Sequence, residues 1–419
     1  MEITILKNGA RIISETREGT QCVSAGVYIH TGSSFEEKKI NGISHFLEHM
    51  FFKGTKTRNS IQISEEIEDV GGQLNAYTGR EFTAYYAKIL KEHTELAIDV
   101  IMDMLQNSVF DNEELKKERE VVIQEIKQGF DDPTDIIFDY MQEAAFTNQA
   151  LGRPIAGLEK DVKSFGRETL LSYIKNNYAY ENIVFAAVGN IKHSDFVKMI
   201  EDRCFSFQAK NNFVLETPKY IGGMKVEKRD IKQTHLALGF EGVNYHSEDY
   251  YTSSILSSIL GGAMSSRLFV EIREKLGLAY SVYSYSTSFK DTGLFSIYAG
   301  TTKDEVKQLM PTIATEIKKI RTDLVSDKEI NRAKNQLKAN MLMALESSSS
   351  TLEIFARQYS LFGRRIPVEE MVAKIDNVNK EKIRSLANKI FASKPSYALL
   401  GDIGEYMDYE NFYKEVNNV

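Results

Sequence analysis

Residues 43–52 read ISHFLEHMFF, and their pattern predicts an amphipathic helix. The apolar side chains recur at the spacing of a helix that packs one face against a core. They are Ile43, Phe46, Leu47, Met50 and Phe51. At about 100° per residue, His45, Glu48 and His49 fall on the opposite face. Two imidazoles one turn apart can hold a metal ion, with the carboxylate as a base beside it, although a solvated polar face has the same spacing.

A third metal ligand is predicted within residues 111–129, which read DNEELKKEREVVIQEIKQG. This segment indicates a second helix, with Asp111 at its N-terminal cap and Gly129 at its end. Glu118 and Glu125 lie two turns apart on one line, beside an apolar stripe. Carboxylates in that position are costly to bury unless they are paired or bind a cation. A pair of half-exposed glutamates at the edge of the stripe is the alternative interpretation.

Three stretches carry a resemblance to a known family. They are HFLEHMFFKGT at 45–55, NAYT at 75–78 and EFTAY at 81–85. Together they resemble the pitrilysin-type metallopeptidases, whose inverted zinc motif is HxxEH. That family includes insulin-degrading enzyme and the mitochondrial processing peptidase. In size, the chain is similar to the beta subunit of the processing peptidase and to bacterial processing-type peptidases.

The resemblance implies a role for each residue of the candidate site. His45, His49 and Glu125 would bind one Zn²⁺ per chain, since Glu125 follows His49 by 76 residues, the spacing of the family. Glu48 would act as the general base that takes a proton from water and passes it to the leaving amine. Glu118 matches a further family glutamate and is expected to orient a histidine or to assist Glu48.

Substrate contacts are also implied by the resemblance. Strand 74–78 is a candidate edge for an extended peptide to join, with Asn75 and Ala76 nearest the cleaved bond. In the second half of the family's chains, an arginine and a tyrosine seven residues apart contact the peptide. Arg273 and Tyr280 match that spacing. Without the resemblance, they would be interpreted as a surface charge and a sheet aromatic.

The chain contains an internal repeat. Residues 109–115, VFDNEEL, and 324–330, LVSDKEI, each open a helix and lie 215 positions apart. The repeat predicts an α+β fold of two duplicated domains of about 200 residues, each a mainly antiparallel sheet packed with helices. We expect a catalytic zinc-binding domain at 1–208, a linker at 209–223, and an inactive repeat at 224–419 that contributes to substrate binding and dimerisation.

The two halves of the repeat differ in their chemistry. At the same offset, Glu118 aligns with Ala333 and Glu125 with Asn340, and no histidine follows His246. The second half therefore cannot repeat the imidazole pair, and a single zinc site is expected.

Composition narrows the class of protein. The hydrophobic content is 42%, the charged content 26% and the formal net charge −7, which together favour a globular enzyme over a nucleic-acid-binding protein. Two cysteines provide no disulfide framework. Because we find no secretory signal and no membrane-spanning run in the sequence, a cytoplasmic location is expected.

The expected function is that of a zinc-dependent endopeptidase acting on unstructured peptides or short polypeptides. Family members of about twice this length enclose the peptide between two halves, each resembling this chain. The resemblance therefore implies a chamber closed by dimerisation, either as a homodimer or with a related subunit. A non-catalytic structural or peptide-binding subunit of a larger complex is the alternative.

Overall fold

The computed structural model describes residues 1–203, 207 and 217–418. These residues form two compact units, each built from three separate stretches of the chain. The first unit comprises Met1–Lys127, Pro154–Glu216 and Leu342–Ile366, and the second comprises Gln128–Arg153, Thr217–Met341 and Pro367–Val419. The expected division at 209–223 stays a prediction, and residues 208–216 lie outside the described residues.

The first unit contains a six-stranded sheet. Its strands are β1 (Glu2–Ile5), β2 (Arg11–Thr16), β3 (Cys22–Ile29), β4 (Gln73–Thr78), β5 (Thr83–Leu90) and β6 (Ile183–Gly189). The spatial order is β1-β2-β6-β3-β5-β4, which puts β4 at an edge. Neighbouring strands are antiparallel except β2 and β6, which are parallel. Gly9, with φ 90°, completes the turn between β1 and β2 because a left-handed backbone suits glycine.

The second unit contains a five-stranded sheet that repeats this connectivity. Its strands are β7 (Gly223–Lys228), β8 (Thr234–Glu241), β9 (Ser281–Ser288), β10 (Gly293–Thr301) and β11 (Ser396–Gly401). The spatial order is β7-β11-β8-β10-β9, with β7 and β11 parallel and the other pairs antiparallel. The α+β fold of two related sheets is therefore confirmed, with one parallel pair in each mainly antiparallel sheet.

Helices surround both sheets. Within the described residues they are α1 (Ile43–Phe51), α2 (Ser60–Glu68), α3 (Thr94–Asn107), α4 (Asn112–Asp131), α5 (Pro133–Ala145), α6 (Glu159–Val162), α7 (Arg167–Asn177), α8 (His193–Glu201), α9 (Tyr250–Gly261), α10 (Val306–Thr322), α11 (Asp327–Glu346), α12 (Ser348–Phe362), α13 (Val368–Asp376), α14 (Lys380–Phe391) and α15 (Tyr409–Asn417). Short 3₁₀ turns lie at Ser33–Phe35, Lys38–Ile40, Lys91–His93, Ala150–Gly152 and Tyr180–Asn182, and Phe269–Lys275 is a π-helix. Across the part of the chain described, no helix is both long and apolar enough to span a bilayer.

Both faces of the first sheet are covered within its own unit. Along β3, Val27 belongs to the core that contains Phe46 of α1, whereas the next residue, Tyr28, belongs to a second cluster. Leu352 and Phe355 of α12 are buried in that second cluster. Alternate side chains of a strand point to opposite faces, so α12 covers the face that α1 does not. The sequence repeat did not indicate this return of a late segment to the first sheet.

Helices α4 and α11 carry the repeat seen in the sequence. Each spans 20 residues, and their first residues are 215 positions apart. The Asp111 carboxylate accepts hydrogen bonds from the backbone N–H groups of Glu113 and Glu114, which confirms it as the cap of α4. The predicted end at Gly129 is wrong, since α4 continues to Asp131. The helix ends there because Asp132 precedes a proline and is extended, with φ −89° and ψ 108°.

Candidate active site

Helix α1 presents its two faces as the sequence predicts. Its apolar side chains have essentially no exposure, while His45, Glu48 and His49 are half-buried on the other side. Gly42 precedes the helix with φ 94°, and an added Cβ would lie 2.5 Å from the carbonyl oxygen of Ala156. Glycine is required here both for the backbone conformation and for the close approach.

Three donor groups converge beside α1. His45 Nε2 lies 3.3 Å from His49 Nε2, and Glu125 Oε2 of α4 lies 3.7 Å and 3.4 Å from these two nitrogens. Ligand atoms of the three residues are all within 4.8 Å of one another, so together they could hold one metal ion. Two imidazole nitrogens and one carboxylate oxygen suit Zn²⁺ with a position left open for water. In contrast to the expectation of two carboxylates on the apolar side, Glu125 is exposed.

Glu118 lies behind the converging donors and is 4% exposed. Its Oε1 is 2.8 Å from His49 Nδ1 and its Oε2 is 2.7 Å from Lys53 Nζ. Burial raises the pKa of Glu118, but the hydrogen bonds from His49 and Lys53 outweigh it and hold that pKa below its ordinary value. An ionised Glu118 can accept a hydrogen bond from Nδ1–H of His49, which leaves Nε2 of that imidazole free to bind a metal ion.

The two histidines differ in their electrostatic surroundings. Burial, followed by the charge of His49, lowers the pKa of His45 to about 4, so its imidazole is neutral at pH 7. Burial also lowers the pKa of His49, but the hydrogen bond to Glu118 and the charges of Glu125, Glu118 and Glu48 raise it overall. Three carboxylates therefore favour positive charge at this place, and a divalent cation would compete with the proton for it.

Glu48 is placed to act as a base. Burial raises its pKa above the ordinary value, against a hydrogen bond from Thr78 that lowers it. Thr78 Oγ1 donates to Glu48 Oε2 at 2.5 Å, and Oε1 makes no hydrogen bond to the described residues. A carboxylate with a raised pKa accepts and returns a proton more readily near neutral pH.

The sequence pattern does not indicate the contacts of Lys53 and Thr78. Lys53 lies within the stretch 45–55, and Thr78 ends the stretch NAYT, so both were part of the resemblance. Their contacts to Glu118 and Glu48 join residues 65 and 30 positions apart. Spacing along one helix carries no signal for such pairs, because they are set by the packing of different elements.

Strand β4 positions the two residues expected nearest the cleaved bond. Asn75 and Ala76 pair in register with Tyr86 and Tyr85 of β5, which leaves the other edge of β4 unpaired among the described strands. Asn75 is exposed, and its Oδ1 accepts a hydrogen bond from the backbone N–H of Ala76 at 2.8 Å. A backbone edge of this kind can accept an extended segment as an added strand.

In the second unit, the structure brings Arg273 and Tyr280 together. The guanidinium carbon of Arg273 lies 4.6 Å from the centroid of the Tyr280 ring and 4.8 Å from that of Phe269. Gly277, with φ 63°, lies between them after the π-helix. Tyr280 is 76% exposed. The pair thus offers an exposed phenol stacked with a cation, a combination suited to peptide carbonyl groups.

Two family models match most of the chain. Insulinase (Peptidase family M16) matches residues 11–159, and Peptidase M16 inactive domain matches residues 164–337. The uncharacterized zinc protease YmxG of Bacillus subtilis (strain 168) is 40% identical over 399 residues, covering 95% of this chain and 97% of that protein. The mitochondrial-processing peptidase subunit beta of Mus musculus is 34% identical over 424 residues, covering 97% and 86%.

Solved structures with the same fold include two of low sequence identity. A protease from Helicobacter pylori has a TM-score of 0.88 at 22% identity, covering 95% of this chain and 98% of that one. A chain of Complex III2 from Candida albicans, bound to Inz-5, has a TM-score of 0.87 at 21% identity, with 99% of each chain covered. At this level of identity the likeness shows the fold alone.

Proposed function

Since this chain belongs to peptidase family M16, the insulinase family, we propose that it cleaves unstructured peptides at the site between α1 and α4. Membership of the family confirms the resemblance to pitrilysin-type metallopeptidases. It also makes the chain a metalloendopeptidase with a zinc cofactor.

One observation carries the assignment of the site. Donor atoms of His45, His49 and Glu125 lie within 4.8 Å of one another, and Glu48 adjoins them on the same face of α1. The alternative of a solvated polar face would not require a carboxylate that is 4% exposed behind His49, as Glu118 is. The coincidence of ligands, base and orienting carboxylate supports catalysis rather than a surface cluster.

The proposed mechanism follows from these positions. His45, His49 and Glu125 would hold the Zn²⁺ ion, which when bound supplies a Lewis acid that activates water and polarises the scissile carbonyl. Glu48 would take the proton of the attacking water at Oε1, the oxygen without a hydrogen bond to the described residues. It would then deliver that proton to the amide nitrogen as the C–N bond breaks. Glu118 would keep His49 oriented throughout.

The proposed substrate is an extended segment of polypeptide. Pairing with the free edge of β4 would use backbone hydrogen bonds, which demand an extended chain and give weak sequence selectivity. Asn75 and Ala76 would lie nearest the cleaved bond. Arg273 and Tyr280 would contact peptide carbonyl groups through their N–H and O–H donors.

Peptide hydrolysis with a matched base variant tests this function. Purified wild type and Glu48→Gln are incubated with a mixed pool of unstructured peptides, and bound zinc, manganese and cobalt are quantified in both, since related divalent ions can replace zinc. We expect about one zinc per chain in each protein and cleavage by the wild type alone. Zinc without cleavage would favour a binding or structural subunit, the alternative function. A folded wild type that takes up no metal would refute the mechanism.

We also propose that the chain works as a dimer in the cytoplasm, either with itself or with a related subunit. The dimer is proposed from the length of the chain, about half that of family members that enclose a peptide between two halves, and the cytoplasmic location from the bacterial relatives. If Arg273 and Tyr280 of one subunit serve the zinc site of the other, mixing Arg273→Ala with Glu48→Gln should restore activity. A proven mixed dimer without recovered activity would contradict sites shared between subunits.

A further inference from the structure

One hydroxyl group contacts the base of the proposed mechanism. Thr78 Oγ1 is 2.5 Å from Glu48 Oε2, and the next acceptor, the Ser44 carbonyl oxygen, is 3.5 Å away. A hydroxyl has a single proton, and the shorter contact receives it. Glu48 makes no other hydrogen bond to the described part of the chain. Among the described residues, this one hydrogen bond holds the Glu48 carboxylate.

The location of Thr78 links the base to the proposed peptide-binding strand. Thr78 is the last residue of β4. Side chains alternate along a strand, so Leu74, Ala76 and Thr78 share one face. Leu74 and Ala76 pack against the core that contains Phe46 of α1, which identifies this face as the one turned toward α1.

We infer that Thr78 is a positioning residue, which fixes Oε2 of Glu48 and leaves Oε1 to accept the proton of the attacking water. This inference rests on the proposed function. A glutamate side chain has several rotamers, and a carboxylate without an anchor would populate more than one of them. Because the anchor belongs to the strand that would bind the peptide, the scissile bond and the base take their positions from one element. A fixed relation of this kind is what proximity catalysis requires.

The test replaces the hydroxyl while keeping the shape of the side chain. In Thr78→Val, kcat should fall by about 10- to 100-fold because the base is misplaced in most molecules. KM should stay within about twofold and the zinc content should be unchanged, since neither the strand backbone nor a ligand is altered. Thr78→Ser keeps the donor and should recover most of kcat.

A neighbouring threonine provides the matched control. Thr83 pairs in register with Thr78, and its buried hydroxyl donates to the Thr31 carbonyl oxygen at 3.0 Å. Thr83→Val therefore removes a buried hydrogen bond at the same end of the strand pair without touching Glu48. It should lower the Tm and leave kcat within about twofold of the wild type. A Thr78→Val enzyme with wild-type kcat, or a Thr78→Ser enzyme as slow as Thr78→Val, would overturn the inference.

A second readout does not depend on turnover. Crystal structures of metal-free wild type and Thr78→Val should show one position of the Glu48 carboxylate in the former and several in the latter. A single unchanged position in Thr78→Val would refute the positioning role even if activity fell. If the wild type binds zinc and cleaves nothing, the proposed function fails, whereas this comparison still decides the role of Thr78.

Discussion

Replacing Glu118 with glutamine should weaken zinc binding by a predictable amount. In the wild type, Glu118 accepts from His49 Nδ1 at 2.8 Å and from Lys53 Nζ at 2.7 Å. A glutamine has one oxygen for these two donors, so its amide NH₂ must face either the imidazole N–H or the ammonium group. One contact is lost in each orientation, and the negative charge that favours a cation near His49 disappears.

The expected loss for Glu118→Gln is about 10- to 100-fold in zinc affinity, which corresponds to about 1.4 to 2.7 kcal/mol. Competition with a chromophoric chelator at neutral pH measures this Kd on the metal-free protein, after circular dichroism has shown that the variant is folded. Glu120→Gln is the matched control, because Glu120 is exposed on the same helix. Equal zinc affinities for wild type, Glu118→Gln and Glu120→Gln would refute the role assigned to Glu118.

Three further predictions concern the support of α1 and of the first sheet. Burial raises the pKa of Glu36 to about 7 from 4.5, so the folded state binds its proton more tightly than the unfolded chain does. Relative to Glu36→Gln, the free energy of unfolding of the wild type should therefore fall by about 3 kcal/mol as the pH rises from 4.5 to 7. Thermal unfolding of both proteins at pH 5 and pH 8 measures this difference, and a wild type that becomes more stable relative to Glu36→Gln at pH 8 would contradict it. Gly42→Ala should lower the free energy of unfolding, measured by chemical denaturation, by about 1 to 3 kcal/mol, because the added Cβ would lie 2.5 Å from the carbonyl oxygen of Ala156. An unchanged denaturation midpoint would refute the steric argument. Leu352 is 0% exposed, and Leu352→Ala should lower the free energy of unfolding by about 2 to 5 kcal/mol. Leu342 is 47% exposed, so Leu342→Ala should lower it by much less. Equal losses in the two variants would contradict the burial of α12.

Helix α1 could be predicted from the sequence because its evidence is local. A spacing of three and four residues separates the buried side from the side that carries His45, Glu48 and His49, and the structure keeps that separation. For this helix, the residues that decide the structure lie within a few turns of one another along the sequence.

Other features depended on contacts that spacing does not encode. Gly129 suggested the end of α4, but its backbone stays helical and the proline at 133 decides the end instead. The partners of Glu118 and Glu48, namely Lys53 and Thr78, come from elements that meet only after folding. A buried carboxylate signals that a partner exists, without specifying which residue supplies it.

The position of α12 has a consequence for the synthesis of the chain. Its residues cover a face of the sheet whose last strand ends at Gly189, and Ser348 Oγ lies 2.9 Å from Ser24 Oγ. At about 5 to 20 residues per second, a ribosome would complete α12 roughly 9 to 35 s after that strand. Until then the apolar surface around Tyr28 and Val184 would lack its cover.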